Sequence, residues 1–256
     1  MGALRSLIIC FAVFSKIPMP YIDWEKKDMK YIFCFLPLVG VVMGALFIGL
    51  NLLAQRFNVP ETAFGIISFA VAMLLVNGGI HMDGFMDTID ALSSHKSRDD
   101  KIRILDDPHT GAFAVISVVM LFIVNFSAIN TIISNTIILN YNSALGLILI
   151  PIISRSLMGY LLISKESMKG SSLGAFFKRG TGDVDKVILL TSLLISSLIL
   201  IFIFGIYGLI ISLGMNLISL YFVNNAIKEF DGMSGDSAGY GLVIAETVGI
   251  LILSFI

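Results

Sequence analysis

The sequence predicts an all-α fold, a polytopic bundle of transmembrane helices that takes up the whole chain. Of its 256 residues, 57% are hydrophobic and only 14% are charged, and the mean hydropathy is +0.93. A soluble domain carries about a quarter charged residues, whereas a transmembrane helix needs about 20 apolar residues in a row. Such runs recur along the chain with only short polar connections between them, so residues 1–256 are expected to form a single integral-membrane domain.

The chain begins with a short apolar run, LIICFAVF, which is followed by Pro18 and Pro20. This run is too short to span a bilayer and lacks a small-residue cleavage site, so we expect an interfacial or re-entrant segment. The sixth span is predicted to be the weakest, because it is short and contains Asn216, Asn224 and Asn225. About seven spans are expected in all, at residues 32–55, 61–80, 111–134, 143–164, 186–206, 212–228 and 238–256.

Positive charges divide the connections between the spans into two sides. Apart from Arg56 and Arg155, every lysine and arginine lies before the first span, after the second, after the fourth or at the end of the sixth. Basic loops stay in the cytoplasm, so the N-terminus and these loops are predicted to be cytoplasmic. Most acidic residues lie on the same side, where any chemistry is therefore expected. The net charge of -1 argues against nucleic acid as a partner, and the sequence leaves a homo-oligomer open.

The segment GGIHMDGFMDTIDAL places three aspartates at the end of the second span. If that span continues as a helix, Asp83, Asp87 and Asp90 fall within about 60° of one another. Carboxylates one turn apart repel, and a divalent cation removes the repulsion. Oxygen ligands suit Mg²⁺, with Mn²⁺ as the alternative, so the three residues are predicted metal ligands. The other interpretation is a solvated helix end whose acids pair with the basic loop that follows.

Two other residues of this segment are candidates for the same site. Gly84 costs about 1 kcal/mol in a helix and is expected to leave room for a phosphate group beside Asp83. His81 is a candidate general base or ligand, although a histidine that caps the helix or faces lipid headgroups fits the pattern equally well.

The basic loop after the aspartates is a candidate phosphate-binding element. Arg98, Lys101 and Arg103 alternate with acids there, and their side chains are suited to clamp phosphate oxygens. An amphipathic helix that balances anionic lipid headgroups is the alternative.

Two further features complete the predicted site. Arg155 and Glu246 are charged residues inside spans, where charge is costly, so either they line the active cavity or they form a structural pair. The loop GMSGDSAG contains Ser234, Gly235 and Asp236 and opens a helix, as an anion-binding loop does. Asp236 is a candidate catalytic residue, or otherwise an ordinary N-cap.

Together these segments resemble the cobalamin synthase family, the integral-membrane adenosylcobinamide-GDP ribazoletransferases. GGIHMDGFMDTIDAL is similar to the family signature, and FSKIPMP, FCFLPLVGVVMG, DPHTGAF, Ser154-Arg155 and GMSGDSAG resemble other family segments in the same order. The resemblance covers most of the chain. DPHTGAF resembles an Asp-Ser-Arg turn of the family, which implies that Asp107 and His109 bind substrate, with His109 in place of the arginine. Glu246 matches an acidic family position by its spacing.

The resemblance implies the last assembly step of cobalamin biosynthesis. α-Ribazole or its 5′-phosphate would attack the β-phosphorus of adenosylcobinamide-GDP, release GMP and form adenosylcobalamin or its 5′-phosphate. This reaction needs a divalent metal, cationic side chains and a base, for which the aspartate segment, the basic loop and either Asp236 or His81 are the candidates. The resemblance also implies a prokaryotic cytoplasmic (inner) membrane with the active site on its cytoplasmic face. A CDP-alcohol phosphotransferase-like lipid headgroup enzyme and a cation transporter are the alternatives.

Overall fold

The regular structure of this computed structural model is helical. It describes residues 2–24, 26–60, 63–65, 67, 71, 76–134, 141–169 and 180–256, and no strand occurs among them. Two short 3-10 helices, Lys26–Tyr31 and Phe33–Phe35, precede the second α-helix. The α-helices of the described residues are α1 (Gly2–Phe14), α2 (Leu36–Arg56), α3 (Ile80–Ser93), α4 (Arg98–Leu105), α5 (Ala112–Ser134), α6 (Tyr141–Ser164), α7 (Asp183–Phe204), α8 (Ile206–Phe230) and α9 (Gly235–Leu253). The predicted all-α class is confirmed.

Six of the described segments are long and apolar enough to cross a membrane. They are Asp28–Ala54, Ala112–Ser134, Asn142–Ser164, Asp183–Phe204, Ile206–Phe230 and Gly235–Leu253. These ranges match six of the predicted spans, and the span predicted to be weakest is a continuous helix of 25 residues. Half of the predicted span 61–80 lies outside the described residues. The chain is therefore a multi-pass membrane protein.

The short N-terminal helix α1 packs into the bundle. With 13 residues it is too short to span a bilayer, as predicted. Ile9 and Cys10 are fully buried, and the Phe14 ring lies 5.9 Å from the Phe33 ring. The Ser6 hydroxyl donates a hydrogen bond of 2.6 Å to the Asp28 carbonyl. Through these contacts α1 and the first spanning segment belong to the same hydrophobic core.

Helix α6 lies at the centre of the bundle and α7 at its outside. In the most apolar stretch of each helix, 83% of the residues of α6 are buried, compared with 17% of those of α7. Helix α2 approaches α6 closely through Gly40 and Gly44, because a methyl group added at these positions would lie 2.6 Å from the Pro151 carbonyl oxygen and from the Ile148 Cα. Two small residues four apart allow such close packing between membrane helices.

A backbone break separates α3 from the segment that precedes it. Gly78 has a φ of +61° and Gly79 a φ of +78°, in the left-handed region that favours glycine. Helix α3 begins immediately afterwards, where the Asp83 amide donates to the Gly79 carbonyl over 2.8 Å. The expectation that the second span runs on as one helix past residue 80 is therefore wrong. The aspartates lie on a separate helix of 14 residues.

Candidate active site

Helix α3 carries the predicted aspartates on one stripe. Asp83, Asp87 and Asp90 all fall within its range, so the expected helical spacing between them is present. Asp83 is exposed, whereas Asp87 and Asp90 are partly buried. On the other side of the helix His81, Phe85 and Thr88 are buried. The aspartates therefore line the face of α3 that is turned away from the core.

Two glycines bring α3 against the start of α9. A methyl group added at Gly84 would lie 2.7 Å from the Cα of Asp236, and one added at Gly239 would lie 3.0 Å from the carbonyl oxygen of His81. Both distances are shorter than ordinary contact, so neither helix has room for a Cβ here. This corrects the expectation that Gly84 leaves space for a phosphate: α9 fills that space. The glycine instead places Asp236 beside the aspartates of α3.

The carboxylates of α3 and α9 influence one another electrostatically. Burial, together with the charges of Asp83 and Asp236, raises the pKa of Asp87 to about 6. The charge of Asp90 acts in the same direction but contributes less. A carboxyl group with its pKa near 6 is partly protonated close to neutral pH, and a bound cation would favour its ionised form.

The three predicted metal ligands do not converge on one point. Among the described residues, no three His, Cys, Asp or Glu side chains are grouped closely enough to hold an ion. Asp90 is turned towards Gly111 before α5, where a methyl group would lie 2.0 Å from its Oδ2. A preformed site made by Asp83, Asp87 and Asp90 together is therefore not present. Mg²⁺ is commonly held by one or two carboxylates plus substrate phosphates, and the chemistry of Asp83 and Asp87 fits that arrangement.

His81 does not lie with the aspartates. Its ring packs against Phe14 at a centroid distance of 6.4 Å, and its Nε2 is buried with no hydrogen-bond partner among the described residues. Burial and the charge of Arg155 lower the pKa of His81 to about 3. A general base works best with a pKa near the operating pH, so both the placement and the pKa argue against the predicted role as a base or a metal ligand.

Arg155 and Glu246 form a buried ion pair inside the bundle. The Arg155 side chain is 0% exposed and that of Glu246 is 6% exposed. Arg155 Nη1 donates to Glu246 Oε1. Glu246 lies ten residues beyond Asp236, about 15 Å along α9. The structural pair is therefore the interpretation that the structure supports, and the prediction that these residues touch substrate is corrected.

The basic side chains of α4 have partners in the protein. Lys101 is buried and pairs with Glu229 near the end of α8. Contrary to the prediction, its ammonium group is therefore not free to clamp a phosphate. Arg98 donates to the Lys228 carbonyl over 3.2 Å, and Arg103 lies 3.3 Å from Asp100 within the same helix.

Arg98 and Arg103 differ from Lys101 in their exposure. Their side chains are 54% and 81% exposed. Exposed ion pairs are weak, so both guanidinium groups remain available to an anionic ligand.

The turn between α4 and α5 carries the other predicted substrate residues. The backbone amide and the Nδ1 of His109 both lie within hydrogen-bond distance of Asp107 Oδ1, at 2.9 and 2.7 Å. These bonds, led by the one from the backbone amide, lower the pKa of Asp107. Asp106, which the sequence pattern did not mark as a site residue, lies at the end of α4 within electrostatic range of Asp236. In the sequence, the only indication of a role for Asp106 is its position next to Asp107.

The N-terminus of α9 is capped by Ser234. The Ser234 hydroxyl accepts from the Ser237 amide over 3.1 Å, and the Ser237 hydroxyl accepts from the Ser234 amide over 2.9 Å. Asp236 is therefore not the N-cap, which was the alternative interpretation. Gly235 faces open space and Asp236 is partly exposed. The first turn of α9 thus presents bare backbone and one carboxylate next to α3.

Comparisons with known proteins find relatives along almost the whole chain. The model of a family described as Cobalamin-5-phosphate synthase matches residues 6–254. A relative from Clostridium perfringens (strain SM101 / Type A), named adenosylcobinamide-GDP ribazoletransferase, is 39% identical over 98% of this chain and 98% of its own. Relatives with the same name from Clostridium botulinum (strain Alaska E43 / Type E3) and Lachnoclostridium phytofermentans are 36% and 32% identical, over 96% and 95% of this chain and 95% and 90% of their own. No solved structure matches the chain.

Proposed function

The chain belongs to the cobalamin-5-phosphate synthase family, and on that basis we propose that it transfers the adenosylcobinamide-phosphate group from adenosylcobinamide-GDP to α-ribazole or its 5′-phosphate. It is a transferase that acts at the final step of cobalamin synthesis. The family match disfavours the two alternatives, a lipid headgroup enzyme and a cation transporter. The observation that carries the proposal is the junction of α3 and α9, where Gly84 brings Asp236 beside Asp83 and Asp87.

The proposed reaction is a displacement at phosphorus. The acceptor hydroxyl forms a bond to the β-phosphorus of the diphosphate, the bond from that phosphorus to the bridging oxygen breaks, and GMP leaves with the bond's electrons. The acceptor hydroxyl loses its proton to a base. Because negative charge spreads over the phosphoryl oxygens and the leaving group, catalysis depends on cationic groups near them.

Asp83 and Asp87 are the proposed ligands of Mg²⁺, with Mn²⁺ as the alternative. The ion, when bound, neutralises the diphosphate and the leaving phosphate. The support in this chain is the raised pKa of Asp87, which burial causes first and the charges of Asp83 and Asp236 increase further. Asp90 lies farther along the stripe against Gly111, so we assign it to the support of the neighbouring turn rather than to the first pair of ligands.

The other roles follow from exposure. Asp236 is partly exposed beside the α3 aspartates and is the proposed base for the acceptor hydroxyl. Arg98 and Arg103 are exposed on α4 and are the proposed contacts for the phosphate groups. His109 and the exposed backbone at Gly235 are further candidates. The distribution of basic residues supports a cytoplasmic location for this face, since positively charged loops remain inside.

The proposal is tested by product identification with purified protein in detergent. The reaction contains adenosylcobinamide-GDP, Mg²⁺ and either α-ribazole or its 5′-phosphate, and mass spectrometry follows the corrinoid product while chromatography follows GMP. We expect product with at least one acceptor and none after chelation with EDTA. Release of CMP from a CDP-activated donor, with no corrinoid product, would instead support the lipid headgroup alternative.

Variants of the aspartates test the site itself. We expect Asp83→Asn and Asp87→Asn each to reduce turnover by about 10²-fold or more, because each removes a charged group that acts only at the reaction centre. The matched control is Asp99→Asn, which changes an exposed aspartate on α4 and should retain nearly full turnover. Full activity of both α3 variants with added Mg²⁺ would refute the metal role.

A further inference from the structure

A buried polar network surrounds the guanidinium group of Arg155. Its Nη1 donates to Glu246, and its Nη2 donates to Asn77 Oδ1 over 2.8 Å and approaches the Met43 sulfur at 3.3 Å. The Ser154 hydroxyl donates to the same Glu246 oxygen over 2.7 Å. All of these polar side chains are buried, with at most 5% of each residue exposed. The network therefore joins α6 to α9 and to the segment that precedes α3.

Asn77 lies at the point where the chain breaks before α3. It immediately precedes Gly78 and Gly79, whose left-handed conformations interrupt the helical hydrogen bonding. The Asn77 carbonyl accepts from the Ile80 amide over 3.3 Å, and the Gly79 carbonyl accepts from the Asp83 amide. The Asn77 side chain is thus anchored to the guanidinium, while its main chain starts the turn that leads to Asp83.

Glu246 links the same guanidinium to the helix that carries Asp236. Both carboxylates belong to α9, and a helix transmits position along its axis with little change in length. Arg155 therefore contacts Asn77, just before α3, through one nitrogen and Glu246, in the middle of α9, through the other. These are the two helices whose contact at Gly84 forms the candidate site.

We propose that Arg155 and Asn77 are positioning residues, which fix the start of α3 relative to α9 and so set the separation between Asp83 and Asp236. The inference rests on the proposed function for its catalytic consequence, but the structural part of it is independent of which substrate is used. The guanidinium is fully buried and paired, so it acts on the reaction through the aspartates and does not touch the substrate.

The test compares two buried asparagines whose side chains both form hydrogen bonds inside the bundle. Asn77→Leu removes the acceptor of Arg155 and keeps the size of the side chain. The matched control is Asn125→Leu, because Asn125 is also buried and donates over 2.9 Å to Thr247, the residue after Glu246 on α9. The control removes a hydrogen bond to the same helix but not the connection to α3. Asn77→Asp is the conservative variant, since it keeps an oxygen acceptor in the same place.

Two readouts are measured on the purified proteins in detergent. Hydrogen exchange of the α3 amides, followed by mass spectrometry, reports on the anchoring of that helix, and steady-state kinetics with adenosylcobinamide-GDP separate kcat from KM. For Asn77→Leu we expect faster exchange over residues 80–87 and a fall in kcat of about tenfold or more, because a displacement of about 1 Å in a site is that costly. KM for adenosylcobinamide-GDP should change less than about threefold. Asn77→Asp should recover both properties.

The control decides between positioning and general stability. We expect Asn125→Leu to lower the unfolding temperature like Asn77→Leu while leaving α3 exchange and kcat near wild type. Equal effects of the two leucine variants on exchange and kcat, or unchanged exchange in Asn77→Leu, would overturn the proposal. If Asn77→Leu does not accumulate, Asn77→Ser applies the same test without a buried apolar group. If wild-type protein forms no corrinoid product, the proposed function fails, and the exchange comparison still decides the anchoring of α3.

Discussion

Replacement of Gly84 by alanine tests how the two helices of the candidate site meet. The added methyl group would lie 2.7 Å from the Asp236 Cα and 3.0 Å from its carbonyl oxygen, whereas ordinary contact begins at 3.4 Å. The obstacle is backbone, so α3 and α9 must separate by about 0.7 Å or more. Overpacking of this kind costs about 1–3 kcal/mol, and the better helix propensity of alanine offsets about 1 kcal/mol. The expected net loss of stability is therefore at most about 2 kcal/mol.

The effect of Gly84→Ala on activity should exceed its effect on stability. A shift of this size moves Asp236 relative to Asp83 and Asp87, and misplacement by about 1 Å costs up to about 10²-fold in rate. Turnover and thermal unfolding in detergent are measured side by side. Gly49→Ala is the control, because a methyl group at Gly49 of α2 meets nothing within 4 Å, and it should be neutral or slightly stabilising. Wild-type turnover in Gly84→Ala would refute the reasoning that this contact sets the site.

Three further predictions concern charge and packing. The pKa of Asp87 is raised from 3.8 to about 6 in the folded protein, so the stability that this group contributes is fully present below pH 3.8 and is lost as the pH rises through 6. Thermal unfolding in EDTA should therefore show that Asp87→Asn loses less stability than wild type between pH 5 and pH 7. Equal pH profiles of the two proteins would contradict this. Glu246→Gln leaves the buried charge of Arg155 without its carboxylate and should cost about 3–5 kcal/mol, measured as the free energy of unfolding; a loss below about 1 kcal/mol would show that the pair is not essential. Gly111→Ala places a methyl group 2.0 Å from Asp90 Oδ2, so we expect turnover to fall by about tenfold with a nearly unchanged unfolding temperature. Unchanged turnover would show that the contact between Asp90 and this turn does not support the site.

The spans could be predicted because run length is a property of the sequence itself. A helix such as α5 or α7 needs only an uninterrupted apolar stretch of sufficient length, and both are found where the sequence places them. The break before α3 was missed for a local reason. Two consecutive glycines are tolerated in membrane helices, and nothing in the sequence shows that Gly78 and Gly79 both adopt positive φ.

The location of the acidic site could also be predicted, but not the contacts that assemble it. The spacing of Asp83, Asp87 and Asp90 is visible in one helix. The neighbour of Gly84 belongs to α9, however, and a contact between distant segments leaves no trace in a single sequence. The same limit applies to Arg155, whose charge marks a polar environment without showing whether a substrate or Glu246 supplies it.

The contact of α3 with α9 also determines when the site comes into existence during biosynthesis. Helix α9 is the last of the described helices, so most of the chain has left the ribosome before Asp236 reaches the aspartates of α3. Until then Arg155 lacks its carboxylate, and an unpaired arginine at the centre of a membrane helix costs at least about 2.5 kcal/mol. A chain that stops before Glu246 thus leaves the guanidinium charge of Arg155 inside the membrane without its carboxylate. The pairing of Arg155 and the assembly of the candidate site therefore both depend on the same helix, α9.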